Sequence, residues 1–208
     1  MATQTLPIPD RKPPQGKVTF EEFLAWGDED TWAEWVDGRI IVMSPASSRH
    51  QDLVRFLLTL LNHHIEEHSL GWLCCAPFLM YLSKRPQGRE PDLLFVRKDR
   101  KHLIEENHLN GPADLVVEIV SPYSIARDRG EKFVEYEAGG VFEYWLIDPQ
   151  RRQAEFYQLS EEGQFQLAPC GPDGFYTSQA VSGFRLQPGW LWQDPLPKVS
   201  DAAREIRA

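Results

Sequence analysis

Apolar residues at positions 53, 54, 57, 58, 60, 61 and 65 recur at helical spacing and predict a long amphipathic helix running as far as Gly71. Ser48 followed by Gln51 reads as a capping box at its start. A stripe this wide should pack on a sheet. Thr19-Phe20-Glu21-Glu22 is another capping box, with Thr19 as N-cap, and opens a short helix bearing Phe20, Phe23 and Leu24. A third helix is predicted from Asp128 to Ala138, closed by Gly139 and Gly140.

Between these helices the pattern is that of strands. Trp32 to Met43 carries two apolar runs joined by Asp37-Gly38, a hairpin turn signal, with Glu34 on or just before the first strand. Trp72 to Leu82, Glu90 to Val96, Ala113 to Val120, Val141 to Ile147 and Arg152 to Leu159 read as further strands. Lys84 to Gly88 reads as a loop and Lys101 to Glu106 as a short helix. Glycines at 163, 171, 174 and 183 punctuate short runs that suggest small hairpins, with Phe184, Trp190 and Trp192 covering an edge of the core. The order of elements indicates an α/β fold whose sheet is covered on both faces. The Ala113 strand, the third helix and the Val141 strand suit a right-handed crossover between parallel strands.

Two of these strands break their own pattern. Each is rich in Val, Ile and Leu, as a strand buried on both faces should be, yet each carries one carboxylate, Asp92 or Glu118. A buried carboxylate is costly unless it meets a cation or a metal. If the strands are neighbours, the two acids converge, and a carboxylate pair holding Mg²⁺ or Mn²⁺ suits phosphoryl chemistry. Glu34 is a candidate third acid and Lys132 a candidate cation. Each has a plainer reading. Asp92 could cap nearby backbone and Glu118 could sit in a buried ion pair. Glu34 could be solvated on an edge, and Asp128 with Lys132 could be a surface pair four residues apart. His64 and His68 share a helix face, but no third ligand accompanies them as a zinc site would require. His50, near the helix start, could face the same cleft as the acids.

Composition narrows the classes. The 208 residues carry 22 basic and 31 acidic side chains, a formal net charge of −9, so no global basic field draws the chain to nucleic acid or an anionic membrane. Three cysteines form neither a metal spacing nor a disulfide framework. No signal-peptide pattern and no membrane-spanning run is present, which points to a cytoplasmic protein without a membrane partner. The expected organisation is an extended N-terminal arm over 1–18, one domain over 19–195 and a C-terminal tail over 196–208.

At the chemical residues the chain resembles the PD-(D/E)XK nuclease superfamily and, within it, the Uma family of restriction-endonuclease-like proteins. The resemblance rests on Glu34-Trp35-Val36-Asp37-Gly38, Pro91-Asp92, Val117-Glu118-Ile119-Val120-Ser121-Pro122, Asp128-x-x-x-Lys132-x-x-x-Tyr136 and Gly140-Val141-x-Glu143-Tyr144-Trp145-x-x-Asp148-Pro149. It implies a restriction-endonuclease-like core, a central mixed β-sheet flanked by helices, followed by extra hairpins. It also implies a Mg²⁺-dependent (or Mn²⁺-dependent) endonuclease acting on DNA, with Asp92 and Glu118 as metal ligands and Glu34 as an auxiliary acid. Cutting both strands of a duplex would suit a homodimer. The superfamily's usual lysine two residues after the acid is replaced by Val120, and Lys132 on the next helix takes its place. The rival is a non-catalytic nucleic-acid- or protein-binding protein on the same fold, which the acidic balance and the relocated lysine favour.

Overall fold

Turn and cap chemistry set out the first elements of the computed structural model, which describes residues 13–27, 31–121 and 124–207. Most of the expected N-terminal arm, and Pro122 of the Val117–Pro122 motif, lie outside those residues. Thr19 caps α1 (Phe20–Trp26) in a complete capping box: the Glu22 amide donates to Thr19 Oγ1 at 3.1 Å and the Thr19 amide to Glu22 Oε2 at 2.8 Å. β1 (Ala33–Val36) and β2 (Arg39–Val42) form a hairpin. At its tip Asp37 and Gly38 have φ of 50° and 80°, both positive, as a type I′ turn requires.

α2 (Ser48–His68) is the long amphipathic helix. Its cap is Ser47, whose hydroxyl accepts from the His50 amide at 3.2 Å. Ser48 is therefore the first helical residue and not the cap. The helix ends at Ser69 in the left-handed region, φ 53°, short of Gly71. Gly71 instead opens β3 (Gly71–Cys75), where a Cβ would stand 2.2 Å from the Val96 carbonyl.

The run Trp72–Leu82 is two strands, β3 and β4 (Leu79–Leu82). β5 (Gln87–Arg89) occupies the end of the expected loop, and the strand expected from Glu90 begins only at Leu93, as β6 (Leu93–Arg97). Pro77 and Pro91 explain both breaks. Proline has no amide to extend a ladder, and at each one the chain leaves one sheet for another. Asp92 accordingly stands at the entrance of β6 and not inside it. A 3₁₀ turn at Lys98–Leu103 replaces the expected short helix.

Then come β7 (His108–Asn110), β8 (Leu115–Ile119), α3 (Lys132–Gly139), β9 (Glu143–Asp148), β10 (Gln153–Leu159), β11 (Phe165–Leu167), β12 (Tyr176–Thr177), β13 (Arg185–Leu186) and α4 (Val199–Arg207). One sheet has the order β2-β1-β5-β4-β7 and the other β11-β10-β9-β8-β6-β3, with β12-β13 apart. The α/β class and the parallel β8–β9 pair across α3 agree with the sequence reading. Where one central sheet was expected, two mixed sheets carry the fold.

Strand alternation divides the core of the larger sheet. Leu93, Phe95, Leu115, Val117 and Ile119 pack on one face with α2, Phe184, Trp190 and α4, whereas Leu94, Val96, Val116 and Val120 pack on the other with Met80, Leu82 and Tyr136. The stretch set apart as a tail, 196–208, thus contains a helix whose Ala202 and Ile206 enter the core.

Candidate active site

Glu118 belongs to the face of β8 that alternation turns toward α3 and the smaller sheet. It is there that the buried charges gather. The antiparallel register Leu93↔Val117 puts Asp92, one residue before Leu93, opposite Glu118, one residue after Val117. Asp92 Oδ2 accepts from the Ile119 amide at 2.7 Å, which fixes one carboxylate against the end of the other's strand. The two acids flagged from the sequence do converge.

Lys132 meets them from α3. A π-helical turn at Arg127–Glu131 precedes α3, and such wide turns are frequent at functional sites. Helical turns thus begin before Lys132, which is not in the first turn of its helix. Its Nζ lies 2.7 Å from Glu118 Oε1, 3.2 Å from Glu34 Oε1 and 3.8 Å from Asp128 Oδ1. Tyr136, one turn on, donates its hydroxyl to Glu118 Oε1 at 2.7 Å. Glu34, Glu118, Asp128 and Lys132 are all buried, so neither an edge position for Glu34 nor a surface pair for Asp128 and Lys132 is realised.

Sequence reasoning missed the second cation. Arg89, at the end of β5 and wholly buried, donates to Glu34 Oε2 at 2.8 Å and to Glu135 through two nitrogens at 2.7 and 2.9 Å. The signal lay in Arg89-Glu90-Pro91-Asp92, four polar or breaker residues abutting an apolar strand, together with Glu131 and Glu135 at helical spacing. His50 Nε2 is 3.0 Å from Asp92 Oδ1, and both side chains keep 15% of their surface exposed. His64 is a core histidine with Nε2 2.9 Å from the Ser182 carbonyl oxygen.

The cluster holds more acid than it can keep ionised. Burial would raise Glu34, but the charges of Lys132 and Arg89 outweigh it and hold the carboxyl at about 2. Glu118 goes the other way. Burial, with Asp128 and Asp92 adding repulsion against the pull of Lys132, pushes it up to about 8. Burial and the Glu34 charge likewise push Glu90 up to about 8. Lys132 is held charged, well above its usual value, because three carboxylates outweigh its desolvation. Desolvation would lower His50, but its hydrogen bond and charge interaction with Asp92 raise it.

Among the described residues no three His, Cys, Asp or Glu side chains are grouped to hold a metal ion. The donor set that fits one is the pair Asp92 and Glu118, since Mg²⁺ commonly takes one or two carboxylates and completes its shell with water and substrate oxygens. Two buried carboxylate oxygens in the charge cluster around Lys132, Asp128 Oδ1 and Glu90 Oε2, have no hydrogen-bond partner, and Glu118 resists ionisation. Positive charge is what this arrangement lacks.

Residues 20–189 match a family model, Uma2, described as "Putative restriction endonuclease". An uncharacterized protein of Synechocystis sp. is 26% identical over 160 residues, spanning 74% of this chain and 80% of that one. A crystal structure from Anabaena variabilis, described as a putative nuclease belonging to DUF820, superposes with a TM-score of 0.69 at 18% identity, covering 84% of this chain and 97% of that chain. At that identity the likeness is one of fold.

Proposed function

This chain belongs to the Uma2 family, and from that premise we propose that it is a metal-dependent endonuclease hydrolysing DNA phosphodiester bonds. The observation that carries the reading is the convergence of Asp92 and Glu118 at one point, with Lys132 on Glu118 and orphaned carboxylate oxygens alongside. Asp92 and Glu118 would hold Mg²⁺ or Mn²⁺. When bound, such an ion polarises a phosphate oxygen and makes water a better nucleophile.

The remaining residues prepare that site. The Ile119 amide fixes Asp92, while Lys132 and Tyr136 fix Glu118 through one oxygen. Lys132 places positive charge beside the pair, where negative charge builds on the phosphoryl oxygens in the transition state. Glu34 holds Lys132 from its far side and is itself held by Arg89. Glu34 therefore acts through Lys132.

Supercoiled plasmid and single-stranded DNA, incubated with the full chain and Mg²⁺ or Mn²⁺, test the proposal. Cleavage is expected from the wild type and not from Asp92→Ala or Lys132→Ala; equal cleavage by all three would remove the assigned site. The burial of Lys132 inside three carboxylates favours one rival, a non-catalytic protein that binds nucleic acid or protein on this fold. Binding of DNA without cleavage in any metal would support it.

A further inference from the structure

We infer that His50 is a positioning residue that holds Asp92 ready for a divalent cation, an inference that rests on the metal-dependent reading above. From the sequence His50 could face the cleft of the acids, but the pattern assigns it no partner and no role. In the structure its Nε2 and Asp92 Oδ1 are 3.0 Å apart. An ionised carboxylate only accepts hydrogen bonds, so Nε2 carries the proton of this one. The other carboxylate oxygen is engaged too, by the Ile119 amide at 2.7 Å. One donor on each oxygen leaves the Asp92 carboxyl a single orientation, with lone pairs remaining on both oxygens for a ligand.

The support for His50 is itself rigid. Its amide donates to the Ser47 hydroxyl, which caps α2. Its neighbour Arg49 reaches across to the C-terminal segment and donates to the carbonyl oxygens of Leu191 at 2.7 Å and Gln193 at 3.0 Å. The first turn of α2 is thus tied at both the cap and the surface, and the imidazole projects from a fixed backbone to Asp92. This also gives the C-terminal segment a part in the site: it steadies the helix turn that steadies the acid. Partners that orient a metal-binding carboxylate in this way typically change metal affinity by roughly 10- to 100-fold when removed.

The test is Mn²⁺ binding to the full-length protein, read by electron paramagnetic resonance of the free ion, with no substrate present. Asp92→Ala defines the site. His50→Ala should bind Mn²⁺ roughly 10- to 100-fold more weakly. His50→Asn, whose amide is too short to reach Oδ1, should do the same. His50→Gln, whose Nε2 stands close to the imidazole Nε2, should restore most of the affinity, because a neutral donor in the right place is sufficient. Circular dichroism melting checks that each variant folds; should His50→Ala fail to, the contrast of Asn with Gln carries the comparison. Wild-type affinity in His50→Ala or His50→Asn overturns the positioning role while leaving the nuclease reading intact. Failure of His50→Gln to recover overturns it as well. Absence of Mn²⁺ binding by the wild type overturns it together with the metal-dependent reading, whereas plasmid cleavage bears on the nuclease reading alone.

Discussion

Replacing Lys132 by methionine keeps the approximate length of the side chain and removes its charge, so the variant isolates what the buried cation does. Lys132 is 2% exposed, with carboxylate oxygens at 2.7, 3.2 and 3.8 Å. Removing one member of a buried ion pair typically costs about 3–5 kcal/mol, because the partner charge is left uncompensated. Here the cost should depend on pH. Lys132 lowers the pKa of Glu34, Glu118 and Asp128, so without it all three folded-state values climb while the unfolded values stay near those of free carboxyls. A carboxyl with a raised folded pKa keeps its proton in the native state, and its penalty appears only as the pH passes its unfolded value and climbs toward the folded one. The deficit should therefore already be present at pH 4.5, where Glu34 loses the stabilisation that its depressed value reflects, and should grow toward about 3–5 kcal/mol by pH 8.5 as Glu118 and Asp128 are left charged. Urea unfolding, followed by tryptophan fluorescence in chelator, measures it at each pH. A deficit below about 1 kcal/mol, or one that is the same at both ends of the range, would refute the reasoning. Adding Glu118→Gln to Lys132→Met should recover part of the loss at pH 8.5, because one stranded charge goes with it.

Arg89→Lys should fail nearly as badly as Arg89→Met, since an ammonium cannot reproduce the two-nitrogen grip on Glu135 together with the contact to Glu34; a wild-type melting temperature for the lysine variant would contradict this. Glu143 is wholly buried and accepts from Trp145 Nε1, the Tyr176 and Ser178 hydroxyls and the amides of Gln179 and Ala180. Glu143→Gln turns a donor toward those donors and should cost about 2–3 kcal/mol, with faster limited proteolysis in the 170–190 region as the local readout. Gly71→Ala drives a Cβ to 2.2 Å from the Val96 carbonyl oxygen, so the β3–β6 ladder must shift; an unchanged urea midpoint would mean that the backbone yields there at no cost.

What the sequence could disclose divides by range of interaction. The Asp37-Gly38 turn, the Thr19 box and the α2 stripe rest on contacts within a few residues, and all three were legible. Ser47 and Ser48 offer the same hydroxyl to neighbouring amides, so the choice of cap was not decidable from residue type, and neither was the end of the helix at Ser69. The division into two sheets was half legible, because Pro77 and Pro91 stand at the crossings, but a continuous apolar run on either side conceals which sheet each half joins. Asp92 and Glu118 stood out as polar residues in apolar surroundings. Arg89 did not, and His50 could be placed near the cleft but given no partner, because a cation at a strand end or a histidine at a helix start is ordinary until a partner distant in the chain arrives. α4 escaped for a similar reason. Its apolar residues, Ala202 and Ile206, are few, and only α2 beneath them gives that spacing a meaning.

One substitution separates a reactive acid from a structural one. If Glu118 served chiefly as the partner of Lys132, Glu118→Gln would destabilise the protein most where the carboxylate is ionised, at high pH. The geometry argues the opposite. Burial and the Asp128 and Asp92 charges push Glu118 up to about 8 despite Lys132, so the group holds its proton in the folded state, and its contribution to stability falls as the pH rises from its unfolded value near 4.5 through 8. Glutamine removes that titration and keeps an oxygen for Lys132 and Tyr136. Stability between pH 5 and 8.5 should then be flatter in Glu118→Gln than in the wild type, measured by urea unfolding in chelator, with the variant overtaking the wild type toward the alkaline end. Cleavage should be lost at the same time. A protein that becomes easier to keep folded when it loses its activity is holding an acid in place against its own stability, as a site that awaits a cation must. A variant uniformly weaker than the wild type across that range would return Glu118 to the role of a buried ion-pair partner.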